Sequence, residues 1–174
     1  MLQLFSTLFA DARPLALATE QTLVRKGDPV RFIYWMVEGQ VDLIRHTKAG
    51  ACLVLHRAQP GQIIAEASLY SPCYHCDCTA MAPTRLRALP AEVFRGRLED
   101  DPKLATAWAA SLAHALQGAR TSAEIRSLRT VAERLDAWQT DERPLPEKGQ
   151  WKNLAHVLGV SQEALYREIA KRRS

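Results

Sequence analysis

The sequence has no apolar run long enough to span a bilayer, and residues 1–9 lack the basic start and long apolar stretch of a secretory signal. We therefore predict a cytoplasmic protein with no membrane partner. Cysteine is scarce as well, with four residues in 174. In a reducing compartment so few cysteines are expected to be free thiols, metal ligands or redox switches, which excludes a structural disulfide framework.

Motifs of catalysis are missing too. The five histidines form no paired ligand spacing, and no Gly-rich loop of the kind that cradles phosphate is present. No serine or cysteine lies in a recognisable nucleophile motif. The sequence therefore predicts that the protein is not an enzyme.

The net charge is small, at +4, but it is concentrated at one end of the chain. From Arg143 to the C-terminus there are seven basic and three acidic residues, so this segment carries an excess equal to that of the whole chain. A localised basic segment is typical of a surface that meets DNA, and a solvated basic tail has the same composition.

Turn signals recur at intervals of about ten residues in the first half of the chain, the spacing expected of a β-sandwich or barrel. They lie at residues 27–29, 38–39, 48–50 and 59–61. Short segments rich in β-branched, aromatic or aliphatic residues predict strands at 32–37, 41–45, 52–55, 79–82 and 85–89. Val41 and Leu43 alternate with Asp42, which indicates one buried and one exposed face. The pattern predicts an antiparallel, jelly-roll-like unit.

Helical patterns follow residue 90. A short helix is predicted at 92–98, and Asp101-Pro102 opens a long helix that ends near Ser127. Residues 130–133 match a capping box, so a new helix is expected there, and residues 140–149 are expected to form a loop.

The long helix carries an apolar seam. Apolar or small residues recur at mostly three- to four-residue spacing, namely Leu104, Trp108, Leu112, Ala115, Ala119, Ala123 and Leu128. A helix with such a seam must bury it, either on the β unit of its own chain or on a second copy of the chain.

The last two dozen residues have the pattern of a helix-turn-helix. Residues 154–158 give an apolar face to a short helix, and Gly159 ends it where a left-handed residue is expected. Ser161 is a natural N-cap for a second helix, Gln162–Arg173. Two helices joined by a tight turn, the second with a basic outer face, can place a helix in the DNA major groove. An ordinary helical hairpin has the same pattern.

Seven short motifs follow one another along nearly the whole chain. They are Lys26-Gly27-Asp28-Pro29, Tyr34-Trp35-Met36-Val37-Glu38-Gly39-Gln40-Val41, Pro60-Gly61-Gln62, Glu66-Ala67-Ser68-Leu69, Thr79-Ala80-Met81-Ala82, Ala132-Glu133-Arg134-Leu135, and Leu154-Ala155 through Leu158-Gly159-Val160-Ser161-Gln162-Glu163. In this order they resemble the cyclic-AMP receptor/fumarate-nitrate regulator (Crp/Fnr) family of bacterial transcription factors.

The resemblance implies an α+β fold and a dimeric DNA-binding regulator. Its parts are an N-terminal antiparallel β-roll sensor domain over 1–100, of the jelly-roll, cyclic-nucleotide-binding-like type, a dimerisation helix over 101–128 and a helix-turn-helix DNA-binding domain over 129–174. The expected partners are double-stranded DNA and a second copy of the chain. The family's β-hairpin wing would follow the second helix, and we expect none here because the sequence stops at Ser174. The alternative is a degenerate sensor or interaction module that does not bind DNA.

The family's recognition motif, Ser-Arg-Glu-Thr-Val-x-Arg, corresponds here to Ser161-Gln162-Glu163-Ala164-Leu165-Tyr166-Arg167. Glu163 can accept from cytosine, Gln162 can pair with adenine, and Arg167 can contact guanine through two hydrogen bonds. The predicted DNA-contacting residues are Ser161, Gln162, Glu163, Tyr166, Arg167, Lys171 and Arg172, with Ser161, Lys171 and Arg172 best placed for phosphates. Because Gln162 stands where the family has arginine, the family's operator sequence cannot be carried over.

The cyclic-nucleotide cassette of the family is altered. Its first part is Ala65-Glu66-Ala67-Ser68-Leu69, in which Ala65 replaces a glycine and Glu66 keeps the residue that holds the ribose hydroxyl. In the second part, Cys76 replaces the arginine that neutralises the cyclic phosphate, and Asp77 follows it. Loss of this cation makes an anion site unfavourable, so we expect a sensor that does not respond to cyclic nucleotides. The cassette residues of interest are Glu66, Ser68 and Cys76, and Glu66 has the alternative role of a local loop cap.

Three cysteines lie in or next to this cassette. On an extended segment Cys76 and Cys78 project to one side, and His75 and Asp77 to the other. Cys73 from the preceding turn could complete a three-thiolate site for zinc, copper(I) or an iron–sulfur cluster that lacks one ligand. Two of the thiols could instead form a redox-sensitive disulfide, or all three could be unliganded. The fourth cysteine, Cys52, is expected to be a small buried hydrophobe.

Overall fold

Short strands divided by glycine turns build the first part of the chain into a β-roll. The computed structural model describes residues 2–47, 52–140 and 144–173, and these contain eight strands in two antiparallel sheets. The strands are β1 (Arg13–Leu17), β2 (Thr22–Val24), β3 (Phe32–Glu38), β4 (Val41–His46), β5 (Cys52–Ala58), β6 (Ile63–Ile64), β7 (Asp77–Ala80) and β8 (Thr84–Pro90). The sheet orders are β1-β8-β3-β6 and β2-β7-β4-β5, which confirms the predicted antiparallel roll.

The five predicted strands correspond to β3, β4, β5, β7 and β8. The short strands β1, β2 and β6, and a first helix α1 (Leu2–Leu8), were not predicted. The predicted turn at 48–50 and residues 141–143 of the predicted loop lie outside the described residues.

The expected alternation in β4 is wrong at Asp42, which is 2% exposed although it is charged. Arg57 on the neighbouring strand donates from Nε and Nη2 to the two carboxylate oxygens of Asp42, both at 2.9 Å. Gln40 Nε2 donates to Oδ1 at 3.2 Å. Burial of Asp42 is tolerated because the carboxylate is paired and hydrogen-bonded.

The β3–β4 turn depends on a glycine. Gly39 has φ +94°, and a Cβ built on it would lie 2.6 Å from the Pro83 carbonyl oxygen and 2.7 Å from Thr84 Cα. Thr84 holds the other side of this turn, because its hydroxyl donates to the Ala82 carbonyl at 2.8 Å and accepts from the Gln40 N–H at 3.2 Å. Only a residue without a side chain fits this site.

The helices after the roll have the bounds α2 (Ala91–Asp100), α3 (Pro102–Ser127), α4 (Val131–Gln139), α5 (Trp151–Leu158) and α6 (Gln162–Arg173). The predicted end of the long helix and the predicted extent of the last helix are confirmed. The capping box is confirmed as well: the Thr130 side chain accepts from the Glu133 N–H, and the Glu133 side chain accepts from the Thr130 N–H. In the described residues, no helix is both long enough and apolar enough to cross a membrane.

The chain divides into two compact units, which we call the β-roll unit (Met1–Trp108) and the helical unit (Ala109–Ser174). The core of the β-roll unit includes an aromatic cluster in which Phe94 lies 4.9 Å from Trp108 and 5.9 Å from Phe9 between ring centroids. The core of the helical unit contains Ile125, Leu135, Trp151, Leu154, Ala155, Leu158, Leu165 and Ile169. The predicted division into sensor, dimerisation and DNA-binding segments concerns function and stays a prediction.

Helix α3 has buried side chains near both of its ends but not in its middle. Leu104, Trp108 and Ile125 are buried, whereas residues 113–121 are all exposed. Leu116 alone exposes 52% of its surface.

Candidate functional site

A cavity of about 130 Å³ lies in the β-roll unit at the altered cassette. One wall is the 3₁₀ turn Glu66–Ser68 with Ala65, and the others come from two strands and from the segment 74–78. The side chains of those other walls are Leu43, Leu55, His56, Tyr74, His75, Cys76 and Cys78. The structure thus brings the three predicted cassette residues together around one space.

Two histidines face the acid of the cassette. Burial raises the pKa of Glu66, and the nearby His56 and His75 act against this shift. His75 also shares a hydrogen bond of 2.9 Å between its Nδ1 and the hydroxyl of Ser68, which is 1% exposed. Sequence reasoning missed both histidines, because only strand pairing and the fold of the cassette turn place them here.

Cys76 and Cys78 form a buried thiol pair. They are 3% and 2% exposed, and both side chains line the cavity. The neighbouring thiol of Cys78 and the positive charge of Arg45 lower the pKa of Cys76. The neighbouring Cys76, together with burial, raises the pKa of Cys78. Both cysteines line the cavity, in agreement with the prediction that they project to one side, but the prediction that His75 projects to the other side is wrong, because His75 lines the same cavity.

The other two cysteines lie elsewhere. The backbone of Cys73 forms an isolated bridge with Pro29, and Cys52 is exposed on β5, contrary to expectation. Within residues 2–47, 52–140 and 144–173, no group of three or more His, Cys, Asp and Glu side chains is arranged to hold a metal ion. The three-thiolate site predicted from Cys73, Cys76 and Cys78 is therefore not assembled in this structure.

The cassette turn is strained at its first residue. Ala65 has φ +70°, a left-handed conformation that costs a residue with a Cβ about 1–2 kcal/mol. It is the N-cap of the 3₁₀ turn Glu66–Ser68, where no side chain caps the helix. The alternative role of Glu66 as a loop cap therefore has no support at this end of the turn.

Replacing Ala65 by glycine is expected to stabilise the protein by about 0.5–1 kcal/mol, because release of left-handed strain exceeds the entropy that glycine adds to the unfolded chain. Ala67→Gly in the same turn is the control, since φ of Ala67 is not positive. That variant is expected to lose stability, by up to about 1 kcal/mol. Urea unfolding of the two variants measures the difference, and a destabilised Ala65→Gly variant contradicts the assignment of strain.

In the helical unit, α5 and α6 are joined by the short turn 159–161, as the predicted helix-turn-helix requires. Gly159 follows α5 with φ +64°, and its N–H donates to the carbonyls of Ala155 and His156. Ser161 caps α6, because its Oγ accepts from the Ala164 N–H at 3.2 Å. Both local predictions, the glycine stop and the serine cap, are confirmed.

Two arginines from outside the motif cap the C-terminus of α5, where helical carbonyls lack partners. Arg126 donates to the His156 and Val157 carbonyls, both at 3.1 Å. Arg134 donates from Nη1 to the carbonyls of Leu158 and Gly159, at 3.1 and 3.0 Å. Positive charge at this end also complements the helix dipole of α5. The two arginines therefore stabilise the backbone carbonyls at the start of the turn between α5 and α6.

The outer face of α6 carries most of the predicted DNA-contacting residues. Glu163, Arg167 and Lys171 are exposed and spaced four residues apart, so they form one row along the helix. Hydrogen bonds from its own N–H and from Ser161, together with the charge of Arg167, lower the pKa of Glu163. Gln162 is half-buried at the start of the same helix.

Two of the predicted residues also have partners inside the helical unit. The ring of Tyr166 lies 5.2 Å from that of Trp151. Arg172 donates to Asp136 at 2.6 Å, to Glu168 at 2.7 Å and to the Ala132 carbonyl at 3.0 Å. Arg172 therefore ties α6 to α4, a role that its place in the sequence did not reveal.

Comparison with known proteins shows the family to which the β-roll unit corresponds. Residues 14–101, half of the chain, match the family described as Cyclic nucleotide-binding domain. The chain belongs to the cyclic nucleotide-binding domain family. A solved structure at 30% identity is the N-terminal domain of a transcriptional regulator from Streptomyces coelicolor A3(2), with a TM-score of 0.55 over 66% of this chain and 81% of that one.

Solved structures at lower identity extend the likeness beyond the cyclic nucleotide-binding domain. CLP from Xanthomonas campestris, described as a c-di-GMP responsive global regulator, is 20% identical, with a TM-score of 0.70 over 98% of this chain and 91% of that one. A transcriptional regulator of the CRP family from Thermus thermophilus is 18% identical, with a TM-score of 0.63 over 91% of this chain and 84% of that one. No curated protein sequence matches the chain. These likenesses confirm the predicted family and the predicted β-roll followed by a long helix and further helices.

Proposed function

We propose that this protein is a cytoplasmic, homodimeric transcriptional regulator that binds double-stranded DNA through α6. The observation that carries the proposal is the pair of helices α5 and α6, in which the C-terminus of α5 and the N-terminus of α6 are both capped at the turn between them. Glu163, Arg167 and Lys171 form one exposed row on α6. That the protein is not an enzyme is part of the same proposal.

The predicted DNA-contacting residues have distinct roles in this proposal. The N-terminal residues of a recognition helix contact base edges, so Gln162 and Glu163 read adenine and cytosine and Arg167 reads guanine. Ser161 and Lys171 contact phosphates, which fix position without reading sequence. The ring of Tyr166 packs against the ring of Trp151, which restricts its movement at the DNA-facing surface. Arg172, engaged with two carboxylates, contributes first to the fold of the unit and only then to phosphate contact.

The second copy of the chain is proposed to pack on the middle of α3. Ala115, Leu116, Ala119 and Ala123 are exposed there, and Gly118 would allow close approach. Small residues at a helix surface let two backbones come near, and Leu116 gains most from being covered. A dimer also matches DNA recognition, since two copies of α6 would read two half-sites.

The sensor of the proposed regulator is expected not to respond to cyclic nucleotides. Cys76 stands in the cavity where the family has an arginine for the phosphate, and Glu66 is a half-buried acid. An anion would enter a space lined by this acid, two thiols and two histidines, without the guanidinium that could bind it through two hydrogen bonds. We propose instead that the thiol pair of Cys76 and Cys78 provides the response, by redox or metal chemistry.

Replacing Arg167 by alanine is expected to weaken binding to DNA by about 10- to 100-fold, because a good contact with guanine discriminates by about 1–3 kcal/mol. The wild-type protein first selects a duplex from a random pool. Fluorescence anisotropy then measures the affinity of each variant for this duplex. Loss of discrimination is expected at one base pair of each half-site.

Arg25→Ala is the matched control, because Arg25 is an exposed arginine of the β-roll unit. Its affinity is expected to equal that of the wild type. Equal affinity of the Arg167→Ala variant would favour the alternative of an interaction module that has lost DNA binding.

A further inference from the structure

The buried thiol pair differs from an ordinary set of free cysteines in its position. Cys76 and Cys78 both line the cavity of the cassette, and each exposes 3% or less of its surface. They are separated by one residue, Asp77, which is the first residue of β7. Two buried thiols therefore line the same wall of a space that a small ligand can occupy.

We propose that Cys76 and Cys78 bind one soft monovalent metal ion, copper(I) or silver(I), as its two ligands. Thiolate sulfur selects soft ions of this kind. Structural zinc takes four protein ligands and iron–sulfur clusters take four cysteines as a rule. In the described part of the chain no third His, Cys, Asp or Glu side chain completes a metal-binding group, so the pair suits an ion that accepts two ligands.

Strand geometry favours an ion over a direct bond between the sulfurs. Asp77, between the two cysteines, is the first residue of β7 and is extended. Alternate residues of an extended segment have Cα atoms about 6.6 Å apart, near the upper limit of roughly 6.8 Å for a disulfide. A metal–sulfur bond is about 2.3 Å long, so an ion between two sulfurs spans up to roughly 4.6 Å. The sulfur–metal–sulfur bridge is longer than a disulfide bond, and it therefore fits the distance between the two Cα atoms with less movement of the backbone.

The surroundings also suit the bound ion. Each thiol loses its proton to solvent as its bond to the metal forms, and the oxidation state of the metal does not change. Two thiolates and one monovalent cation leave one negative charge. Arg45 lies next to the pair, since its Nη2 donates to the carbonyl of His75 at 3.3 Å, and its charge offsets this excess. Leu43 and Leu55 add apolar side chains to the lining of the cavity.

A role for copper(I) as the signal of the regulator rests on the proposed function, whereas binding of the ion to Cys76 and Cys78 is tested separately. The full chain, purified without oxygen, is titrated with copper(I) against a chromophoric copper(I) chelator. One ion per chain is expected, with silver(I) giving the same stoichiometry and zinc(II) binding far more weakly. Cys76→Ser and Cys78→Ser are each expected to abolish the site. Cys52→Ser and Cys73→Ser are the matched controls and are expected to keep it.

A second measurement does not depend on how the variants fold. X-ray absorption at the copper edge of the wild-type protein is expected to show two sulfur neighbours and no other ligand. Three sulfur neighbours, or copper that is retained when both Cys76 and Cys78 are replaced, would overturn the inference, as would the absence of tight copper binding. A protein that selects DNA but holds no copper refutes this inference alone, whereas one that holds copper but selects no DNA refutes the proposed function alone.

Discussion

The Gly39→Ala variant is expected to lose about 3–5 kcal/mol of unfolding free energy, enough to unfold much of the protein at ordinary temperature. Two causes act together. Gly39 has φ +94°, which a residue with a Cβ adopts only under strain, and the new methyl group would overlap the Pro83 carbonyl oxygen at 2.6 Å. Backbone atoms form this wall, so no side-chain rotation relieves the overlap.

Gly96→Ala is the matched control for this substitution. A Cβ on Gly96 meets nothing within 4 Å, and the residue lies inside α2. Alanine in a helix interior is favoured over glycine by up to about 1 kcal/mol, so this variant is expected to be more stable than the wild type. Urea unfolding followed by circular dichroism measures both changes. Similar stabilities for the two variants would show that the β3–β4 turn does not have the geometry described.

The Arg134→Leu variant is expected to lose about 2–4 kcal/mol in the helical unit and most of its DNA affinity. Arg134 donates to the carbonyls of Leu158 and Gly159, and through Nε to the Leu128 carbonyl at 2.9 Å. A hydrogen bond from a charged donor contributes about 1.5–3 kcal/mol, and its loss leaves half-buried carbonyls without a partner. Since the first two carbonyls end α5, the angle between α5 and α6 is no longer held.

Hydrogen exchange of the amides of α5 and α6, measured by mass spectrometry, separates this effect from general unfolding. Exchange is expected to rise there and to stay unchanged in the β-roll unit. Arg129→Leu is the control, because Arg129 is an exposed arginine of the same segment. Protection equal to that of the wild type in Arg134→Leu would mean that the cap at the end of α5 contributes little to the motif.

The helical unit could be predicted almost to the residue because its boundaries are set by local signals. The Thr130 capping box, the left-handed Gly159 and the Ser161 cap each act within four residues of their own position. The arginine cap of α5 could not be predicted in this way. Arg126 and Arg134 lie more than twenty residues from the carbonyls that they reach, and nothing in the local pattern links them.

The β-roll was harder to predict because strand pairing is not local. The short strands β1 and β6 are recognisable only beside β8 and β3, their partners in the sheet. Asp42 was expected to face solvent, since its partner Arg57 lies on the next strand and its burial depends on that pairing. At the candidate site, the cassette substitutions indicated where to look, but they did not indicate that His56 and His75 would face Glu66.

The measurement that tests the central claim most directly is selection of duplex DNA from a random pool by the full protein at low salt. A dimer that reads DNA through α6 is expected to enrich a sequence with two-fold symmetry, whose half-sites lie about one helical turn, or a multiple of it, apart. The symmetry should disappear from the pool selected by the Arg167→Ala variant. Recovery of no enriched sequence by the wild-type protein, in metal-free, copper-loaded and oxidised forms, would contradict the account.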